Sequence, residues 1–210
     1  MVDFVAPDQY IDLSQYCRNA IDFKKEARLL CAALDASCKE NDIQSYIKNN
    51  QKWFIPGSLL RDYDFGHHGA YLVSEQQLGA EYRADYMLLG RNSLGYHVVL
   101  VEFEDVNTEY NMKNENTERV SVRKGLTQIR DWKRWIDDNR QYFLKNSGLS
   151  SIKENIPSWG FNYCLVVSRR RLLNDAANQM RRQQQEEMHQ LRIVTYDRLV
   201  DNVELLVNGF

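Results

Sequence analysis

The sequence predicts an α/β fold in which a mixed β-sheet is flanked by helices. Three observations predict this class: short apolar runs of strand length, longer stretches with helical periodicity, and a helix-length segment between the third and fourth strands. A crossover of that length usually joins parallel neighbours in one sheet, whereas the short loop before it predicts a hairpin. The predicted order is helix, three strands, helix, strand, helix, strand and helix.

Length and composition fit one domain with a sizeable core. The chain has 210 residues, of which 43% are hydrophobic, and no apolar run is long enough for a transmembrane helix. The N-terminus lacks the basic and apolar regions of a signal peptide, and the four cysteines match no zinc-binding spacing. We therefore expect a cytoplasmic protein with reduced thiols and no membrane partner.

The first half of the chain predicts one long helix and three strands. Residues 1–20 are ambiguous and are interpreted as an arm, whereas residues 21–50 have apolar positions at helical spacing and are predicted as one helix. Pro56 and Gly57 then break the pattern. The three strands, which are joined by a short turn and a hairpin loop, are predicted at 70–77, 81–89 and 96–104.

The second half of the chain predicts helices and strands in alternation. A polar, Asn-rich loop leads into a helix from about residue 118 to 145, with an apolar stripe that includes Trp132. The remaining predicted elements are a strand at 161–167, a polar helix at 172–190, a short strand at 191–196 and a helix at 197–208.

Carboxylates occupy unusual positions on two neighbouring strands. Asp85 lies in mid-strand among apolar residues, where a carboxylate is costly unless it is paired or hydrogen-bonded. Glu102 and Glu104 end the next strand two residues apart, so their side chains share one face. Three such groups on one patch of sheet predict a Mg²⁺ or Mn²⁺ site. The alternative is a solvated strand end, with Asp85 bonded to Arg83 or Arg123.

Three further polar residues are candidates for roles near these carboxylates. Lys124 and Gln128 are four residues apart on the long predicted helix, so they share a face and can position water and phosphate there. An ordinary exposed pair is the alternative. Glu75 lies on the strand before Asp85 and is either a supporting acid behind the site or a surface glutamate.

Charge is distributed unevenly along the chain although the net charge is only −2. Six acids lie in residues 102–118 and six bases in residues 119–134, which suits a metal site that handles a polyanion, although charge runs are more often solvated faces. The predicted nucleic-acid-binding residues are Arg119, Arg123, Arg130, Lys133 and Arg134. A second basic cluster comprises Arg169, Arg170, Arg171, Arg181 and Arg182.

The order of these motifs resembles the PD-(D/E)xK nuclease superfamily and, within it, the nuclease domain of Shedu anti-phage defence proteins. The matching segments are "EQQLGAEYRADYMLLG", "VVLVEFEDVN", "KGLTQIRDW" and "LRIVTYDRLVDNVELL", and the likeness covers roughly residues 45–208. It implies a restriction-endonuclease-like αβββαβ core with an added C-terminal helix–strand–helix. On this basis residues 1–44 are an N-terminal arm and helix packed on the core, and residues 45–210 are a PD-(D/E)xK-like nuclease domain.

The resemblance implies a metal-dependent endonuclease that hydrolyses DNA phosphodiester bonds in bacterial anti-phage defence. Asp85, Glu102 and the backbone carbonyl of Phe103 would bind Mg²⁺ or Mn²⁺, which activates water and stabilises charge on the phosphate. The expected partner is DNA, and defence nucleases of this kind often form homo-oligomers. The predicted catalytic set is Asp85, Glu102, Glu104, Lys124 and Gln128, of which the resemblance implies Asp85, Glu102 and Gln128.

The sequence departs from the family pattern at one position, because Glu104 stands where the family usually has a lysine. Glutamate can bind metal or act as a base, but it cannot supply the positive charge of lysine. Lys124 or Arg123, on the following helix, could supply it instead. The alternative function is therefore a catalytically degenerate nucleic-acid-binding or assembly module on the same fold.

Overall fold

A six-stranded sheet forms the centre of the described structure. In a computed structural model, which describes residues 4–18, 21–39, 41–112, 117–152 and 156–210, the strands lie side by side in chain order. The strands are β1 (Ile11–Asp12), β2 (Ala70–Leu78), β3 (Tyr82–Asn92), β4 (Gly95–Phe103), β5 (Phe161–Val166) and β6 (Leu191–Val194). The strands β1 to β4 pair antiparallel, and β4, β5 and β6 pair parallel. The predicted mixed sheet and the parallel crossover are therefore confirmed.

Helices cover both faces of this sheet. They are α1 (Ser14–Arg18), α2 (Phe23–Ala36), α3 (Asp42–Asn49), α4 (Phe54–Gly57), α5 (Val120–Asn146), α6 (Asp175–Glu187) and α7 (Tyr196–Glu204). Helices α5 and α6 contribute to the core on one face, and α2, α3, α4 and α7 contribute to the core on the other. Because both faces are covered, successive residues of β4 from 98 to 101 are all buried, which explains their unbroken apolar run.

The long helix α5 crosses from β4 to β5 and packs through its predicted apolar stripe. Val122, Ile129, Trp132 and Ile136 are all buried in the core on that face. After the helix, Gly148 adopts a left-handed conformation with φ +77°, which glycine accommodates at helix ends without strain. None of the helices in the described part of the chain has the length and apolarity needed to cross a membrane.

The N-terminal segment differs from the prediction in two places. Residues 21–50 were expected to form one helix, but α2 ends at Ala36 and α3 begins at Asp42. The Asp42 carboxylate accepts the backbone N–H groups of Cys38 and Lys39, each at 2.8 Å, and so stabilises the break. The strand β1 was not predicted, and the expected boundary after residue 44 falls inside α3.

Candidate active site and metal centre

The two predicted strand carboxylates meet where β3 and β4 separate. The paired register of these strands ends with Tyr86 opposite Val101. One residue further along each strand, the same register places Asp85 opposite Glu102. Oδ2 of Asp85 accepts the backbone N–H of Phe103 at 2.8 Å. A side chain therefore continues the hydrogen bonding where the backbone ladder stops, and the Asp85 carboxylate is fixed at the fork.

A residue that the sequence did not suggest also holds Asp85. Nε2 of Gln44 donates a hydrogen bond to the same Oδ2 atom at 2.8 Å. Gln44 lies on α3, between the buried Ile43 and a second buried isoleucine, Ile47, which face the core that α3 shares with α2 and α7. In sequence it is only a polar position on an amphipathic helix, so no local pattern distinguishes it from a solvated glutamine.

Glu102 is a buried acid with one unsatisfied oxygen. Its exposed fraction is 5%, and its Oε2 atom has no hydrogen-bond partner among the described residues. Burial raises the pKa of Glu102, and the charges of Asp85 and Glu104 raise it further. The charge of Lys124 and hydrogen bonding with Gln128 act in the opposite direction. The carboxylate is therefore short of positive charge and of hydrogen-bond donors.

Asp85 shares this electrostatic environment. Burial raises its pKa, although the hydrogen bonds from Phe103 and Gln44 and the charges of Arg83 and Lys124 oppose the shift. Two like charges directly opposite each other on neighbouring strands destabilise a sheet. Both raised pKa values show that the surroundings of the pair at the fork of β3 and β4 do not compensate two ionised carboxylates.

Glu104 is turned towards α5. It is fully buried, its Oε2 atom accepts the Ser121 hydroxyl at 2.8 Å, and Nζ of Lys124 lies 3.4 Å from its Oε1 atom. These contacts of Ser121 and Lys124 with Glu104 depend on a close approach of α5 to β4 and β5. A Cβ atom on Gly125 would lie 2.9 Å from Cγ of Glu104 and 2.5 Å from a methyl carbon of Leu165. Only glycine fits at this contact without a shift of the neighbouring atoms.

The expectation that three carboxylates surround one cation is corrected by this arrangement. Within the residues that the structure describes, no group of three or more His, Cys, Asp or Glu side chains could hold a metal ion. The physical reason is that Ser121 and Lys124 draw the Glu104 carboxylate to α5. The ligand set implied by the resemblance contains only two carboxylates, Asp85 and Glu102, with the Phe103 carbonyl, and it stays a prediction.

The alternative of a solvated strand end is wrong. Glu102 and Glu104 are 5% and 0% exposed, respectively, because α5 covers the end of β4. Asp85 accepts its hydrogen bonds from Gln44 and from the Phe103 backbone, and neither predicted arginine takes that part.

The two opposed carboxylates fit a divalent cation by their chemistry. Carboxylate and carbonyl oxygens are the hard ligands that Mg²⁺ and Mn²⁺ prefer. The buried Oε2 atom of Glu102 has an unused lone pair, which is costly in a protein interior. Asp85, Glu102 and the Phe103 carbonyl are therefore the residues that could hold a cation.

A family comparison places this site in context. Residues 37–200 match the family model described as "Shedu protein SduA, C-terminal". The chain belongs to this Shedu family. The match covers α3 and all the strands from β2 to β6, so it includes Gln44, Asp85, Glu102 and every other residue of the candidate site. It supports the role in anti-phage defence that the resemblance implies. No curated protein matches the chain.

In this Shedu chain, α5 presents two different polar faces. Ser121, Lys124 and Gln128 are on the side that faces the carboxylates. At 3.6 residues per turn, the five predicted nucleic-acid-binding residues lie on a stripe turned away from Lys124 and Gln128 by roughly 150°. The structure therefore does not bring that stripe to the carboxylates. The five are Arg119, Arg123, Arg130, Lys133 and Arg134.

Several residues of this stripe have neighbours of their own. Arg119 lies 2.7 Å from Glu109, and Lys133 lies 2.7 Å from Asp137, which screens their charges. Arg130 lines a cavity of about 270 Å³ against α6. Their binding of nucleic acid stays a prediction.

Glu75 lies beside Asp85 in the sheet but is directed outward. The flanking register of β2 and β3 places Glu75 opposite Asp85, and Glu75 has a positive φ of +55°, which is uncommon for a residue other than glycine. Its side chain is 56% exposed and lies 3.9 Å from Nζ of Lys48. The geometry fits a surface glutamate better than a direct neighbour of a cation.

Proposed function

We propose that this Shedu-family chain is a metal-dependent endonuclease that hydrolyses DNA phosphodiester bonds in bacterial anti-phage defence, in the cytoplasm. The observation that carries the proposal is the opposition of Asp85 and Glu102 at the fork of β3 and β4, with Oε2 of Glu102 buried and unsatisfied. A buried pair of acids is unfavourable by itself, and a divalent cation would offset its charge. Mg²⁺ or Mn²⁺ would be held by Asp85, Glu102 and the Phe103 carbonyl.

The protein's own part in the chemistry is to position charge. A bound cation would supply an activated water and stabilise the charge that develops on the phosphate. Gln44 and the Phe103 N–H fix Oδ2 of Asp85, so the plane of that carboxylate is set before any ligand arrives. Gln128 orients Glu102 through its hydrogen bonding.

Lys124 takes the part of the family's usual lysine in this proposal. Its side chain is 53% exposed, so its ammonium group lies at the boundary between the buried carboxylates and solvent. The adjacent Glu104 carboxylate forms an ion pair with the ammonium group and so limits its mobility. From that position Lys124 can contact the phosphate of a strand that approaches Asp85 and Glu102.

The proposal is tested by metal binding and nicking in matched variants. Mn²⁺ is titrated by calorimetry into wild type, Asp85→Asn, Glu102→Gln and Glu81→Gln, and each protein is then incubated with supercoiled plasmid. Glu81 is an exposed acid in the turn between β2 and β3, so its variant removes the same charge away from the site. We expect wild type and Glu81→Gln to bind and nick, and the two site variants to lose nicking more than 100-fold.

Two outcomes would contradict the proposal. A folded wild-type protein that neither binds Mn²⁺ nor nicks DNA refutes it. Nicking that survives in both Asp85→Asn and Glu102→Gln places the chemistry elsewhere in the chain.

A second candidate function is a nucleic-acid-binding or assembly module without turnover. It is favoured by Glu104, which stands in the place of the usual lysine and engages both Ser121 and Lys124. It predicts DNA binding that weakens steeply with salt, with no nicking under any metal condition. Light scattering after size-exclusion chromatography tests the accompanying prediction of a homo-oligomer.

A further inference from the structure

A cavity at the outer edge of β6 has an unusual concentration of arginines. We call it the β6 groove, and its volume is about 490 Å³. Its walls come from α6, β6, α7 and the segment after β5. The uncharged polar residues in these walls are Asn178 and Gln185 on α6 and Thr195 after β6. Four of its lining residues are positively charged and one is an acid: Arg170, Arg181, Arg192, Arg198 and Asp62.

Two of the four arginines are neutralised by carboxylates. Arg198 forms an ion pair with Asp62, with Nε to Oδ1 at 2.8 Å. Arg170 forms an ion pair with Asp201, on the same helix as Arg198. The excess charge of the β6 groove therefore comes from the other two arginines.

Arg181 is held by neutral groups alone. Its Nη2 atom donates to the Ile193 carbonyl at 2.7 Å, and Nη1 lies 3.3 Å from Oδ1 of Asn178. Its Nε atom is shielded from solvent and has no hydrogen-bond partner in the described part of the chain. Burial lowers its pKa, which means that the charged form is disfavoured without an anion.

Arg192 is the second uncompensated charge. Its guanidinium carbon lies over the Tyr63 ring, 4.9 Å from the centroid, and it forms no ion pair with any residue that the structure describes. A guanidinium that is held by a ring and not by a carboxylate retains N–H donors for an oxyanion. Arg181 and Arg192 thus present two donors to the same groove.

The β6 groove is aligned with the carboxylate pair. The register of the parallel strands places Glu102 beside Leu165, and Leu165 beside Ile193, to which Arg181 is bonded. Two strand spacings, about 10 Å, therefore separate Glu102 from β6, which is about three base-pair steps of duplex DNA. Arg170 and Thr195 follow β5 and β6, so the groove reaches the same sheet edge as the carboxylates.

We propose that the β6 groove, through Arg181 and Arg192, binds phosphate groups of a polynucleotide strand about three nucleotides from the carboxylate pair. The identification of the ligand as a polynucleotide rests on the proposed function. Guanidinium groups match phosphate oxygens through paired N–H donors, and Asn178, Gln185 and Thr195 supply further polar groups. The groove would thus hold the strand on the β6 side of the point of cleavage.

Salt-dependent binding of a labelled duplex tests the proposal. Fluorescence anisotropy is measured in EDTA from 50 to 200 mM salt for wild type, Arg192→Gln, Arg181→Gln and Arg28→Gln. Arg28 is exposed on α2 and bonds only to Lys24 of its own helix in the described structure, so it controls for the loss of one charge. Each groove variant should lower the slope of log K against log salt by about 0.9, a roughly 3-fold change across this range, and Arg28→Gln should not.

A folded state is verified for each variant by thermal melting. Arg181 bonds to the edge strand, so Arg192→Gln, whose side chain is exposed, decides the test if Arg181→Gln does not fold. If both folded groove variants bind with the slope of wild type, the proposal is refuted.

Competition with inorganic phosphate and with a mononucleotide distinguishes the sources of phosphate. A mononucleotide that binds as tightly as the duplex, and loses affinity in the groove variants alone, also refutes it.

These outcomes are separable from those of the nicking assay. Reduced slopes in Arg181→Gln and Arg192→Gln, with no nicking by wild type, leave the groove as a nucleic-acid site and contradict the nuclease proposal. Nicking by wild type, with unchanged slopes in both groove variants, supports the nuclease proposal and refutes the β6 groove as a nucleic-acid site.

Discussion

Replacement of Gly125 by alanine tests whether the close approach of α5 to the sheet builds the site. In an ordinary helix interior this change stabilises by about 1 kcal/mol, because glycine is a poor helix former. Here the added Cβ would lie 2.5 Å from a methyl carbon of Leu165 and 2.9 Å from Cγ of Glu104. Overpacking of this kind costs about 1–3 kcal/mol. The net expectation is a loss of about 1 kcal/mol.

The substitution should affect nicking more than stability. Relief of the clash moves α5 outward, and Ser121 and Lys124 move with the helix, which disrupts their contacts with Glu104 at the end of β4. A displacement of about 1 Å at a catalytic group can lower the rate about 100-fold. Urea unfolding measures the first effect, and plasmid nicking with Mn²⁺ measures the second.

Thr127→Ala is the matched control for Gly125→Ala. Thr127 is exposed on α5, two residues further along, so alanine there improves helix propensity without a clash. We expect it to stabilise by up to about 0.7 kcal/mol and to leave nicking unchanged. If Gly125→Ala is as stable as Thr127→Ala and nicks at the wild-type rate, the close approach is not what positions the site.

Three further predictions concern single side chains. Gln44→Ala should weaken Mn²⁺ binding about 10–100-fold in calorimetry, because Asp85 loses a fixed donor, and unchanged affinity would argue against that role. Lys124→Gln should abolish nicking while Mn²⁺ still binds, and nicking within 2-fold of wild type would exclude its proposed part. Burial alone would raise the pKa of Asp197, but hydrogen bonds from the Arg169 side chain and a backbone N–H lower it. Its contribution to stability is therefore present above its ordinary pKa of about 3.9 and lost as pH falls through the lowered value. The deficit of Asp197→Asn in thermal melts should shrink towards pH 3, and a constant deficit would contradict this.

The sheet was predictable because its signals are local. The unbroken apolar run in β4 reports burial on both faces, and the length of α5 determines the parallel pairing of β4 with β5. The break between α2 and α3 was not predictable, because it depends on Asp42 accepting two backbone N–H groups. The two residues of β1 form a strand only because they pair with β2.

The site was predictable only in part, for related reasons. The opposition of Asp85 and Glu102 follows from a two-residue period and a hairpin register, both of which are visible in sequence. The contact of Gln44 with Asp85 and the turn of Glu104 towards α5 depend on how helices on opposite faces pack. The run of basic residues at 119–134 was also misleading. Residues that are adjacent in sequence lie on different faces of α5, so most of these charges do not face the carboxylates as Lys124 does.

The Glu104–Lys124 pair determines how this site would differ from the nuclease pattern that the proposed function assumes, in which a lysine occupies position 104. A lysine at position 104 would add positive charge beside Asp85 and Glu102, whereas here the charge of Lys124 is matched by Glu104 and the raised pKa values of Asp85 and Glu102 are left without that compensation. The site should then depend more on a divalent cation and offer less positive charge to the phosphate.

Glu104→Lys alone should destabilise the protein by about 3–5 kcal/mol, since it buries a charge beside Lys124. Combining it with Lys124→Glu restores the ion pair in reverse and places a lysine at the usual position. Recovery of stability and nicking in the double variant, measured against Glu104→Lys, would show that the ion pair is exchangeable. Recovery of stability without nicking would show that the ammonium group must come from α5.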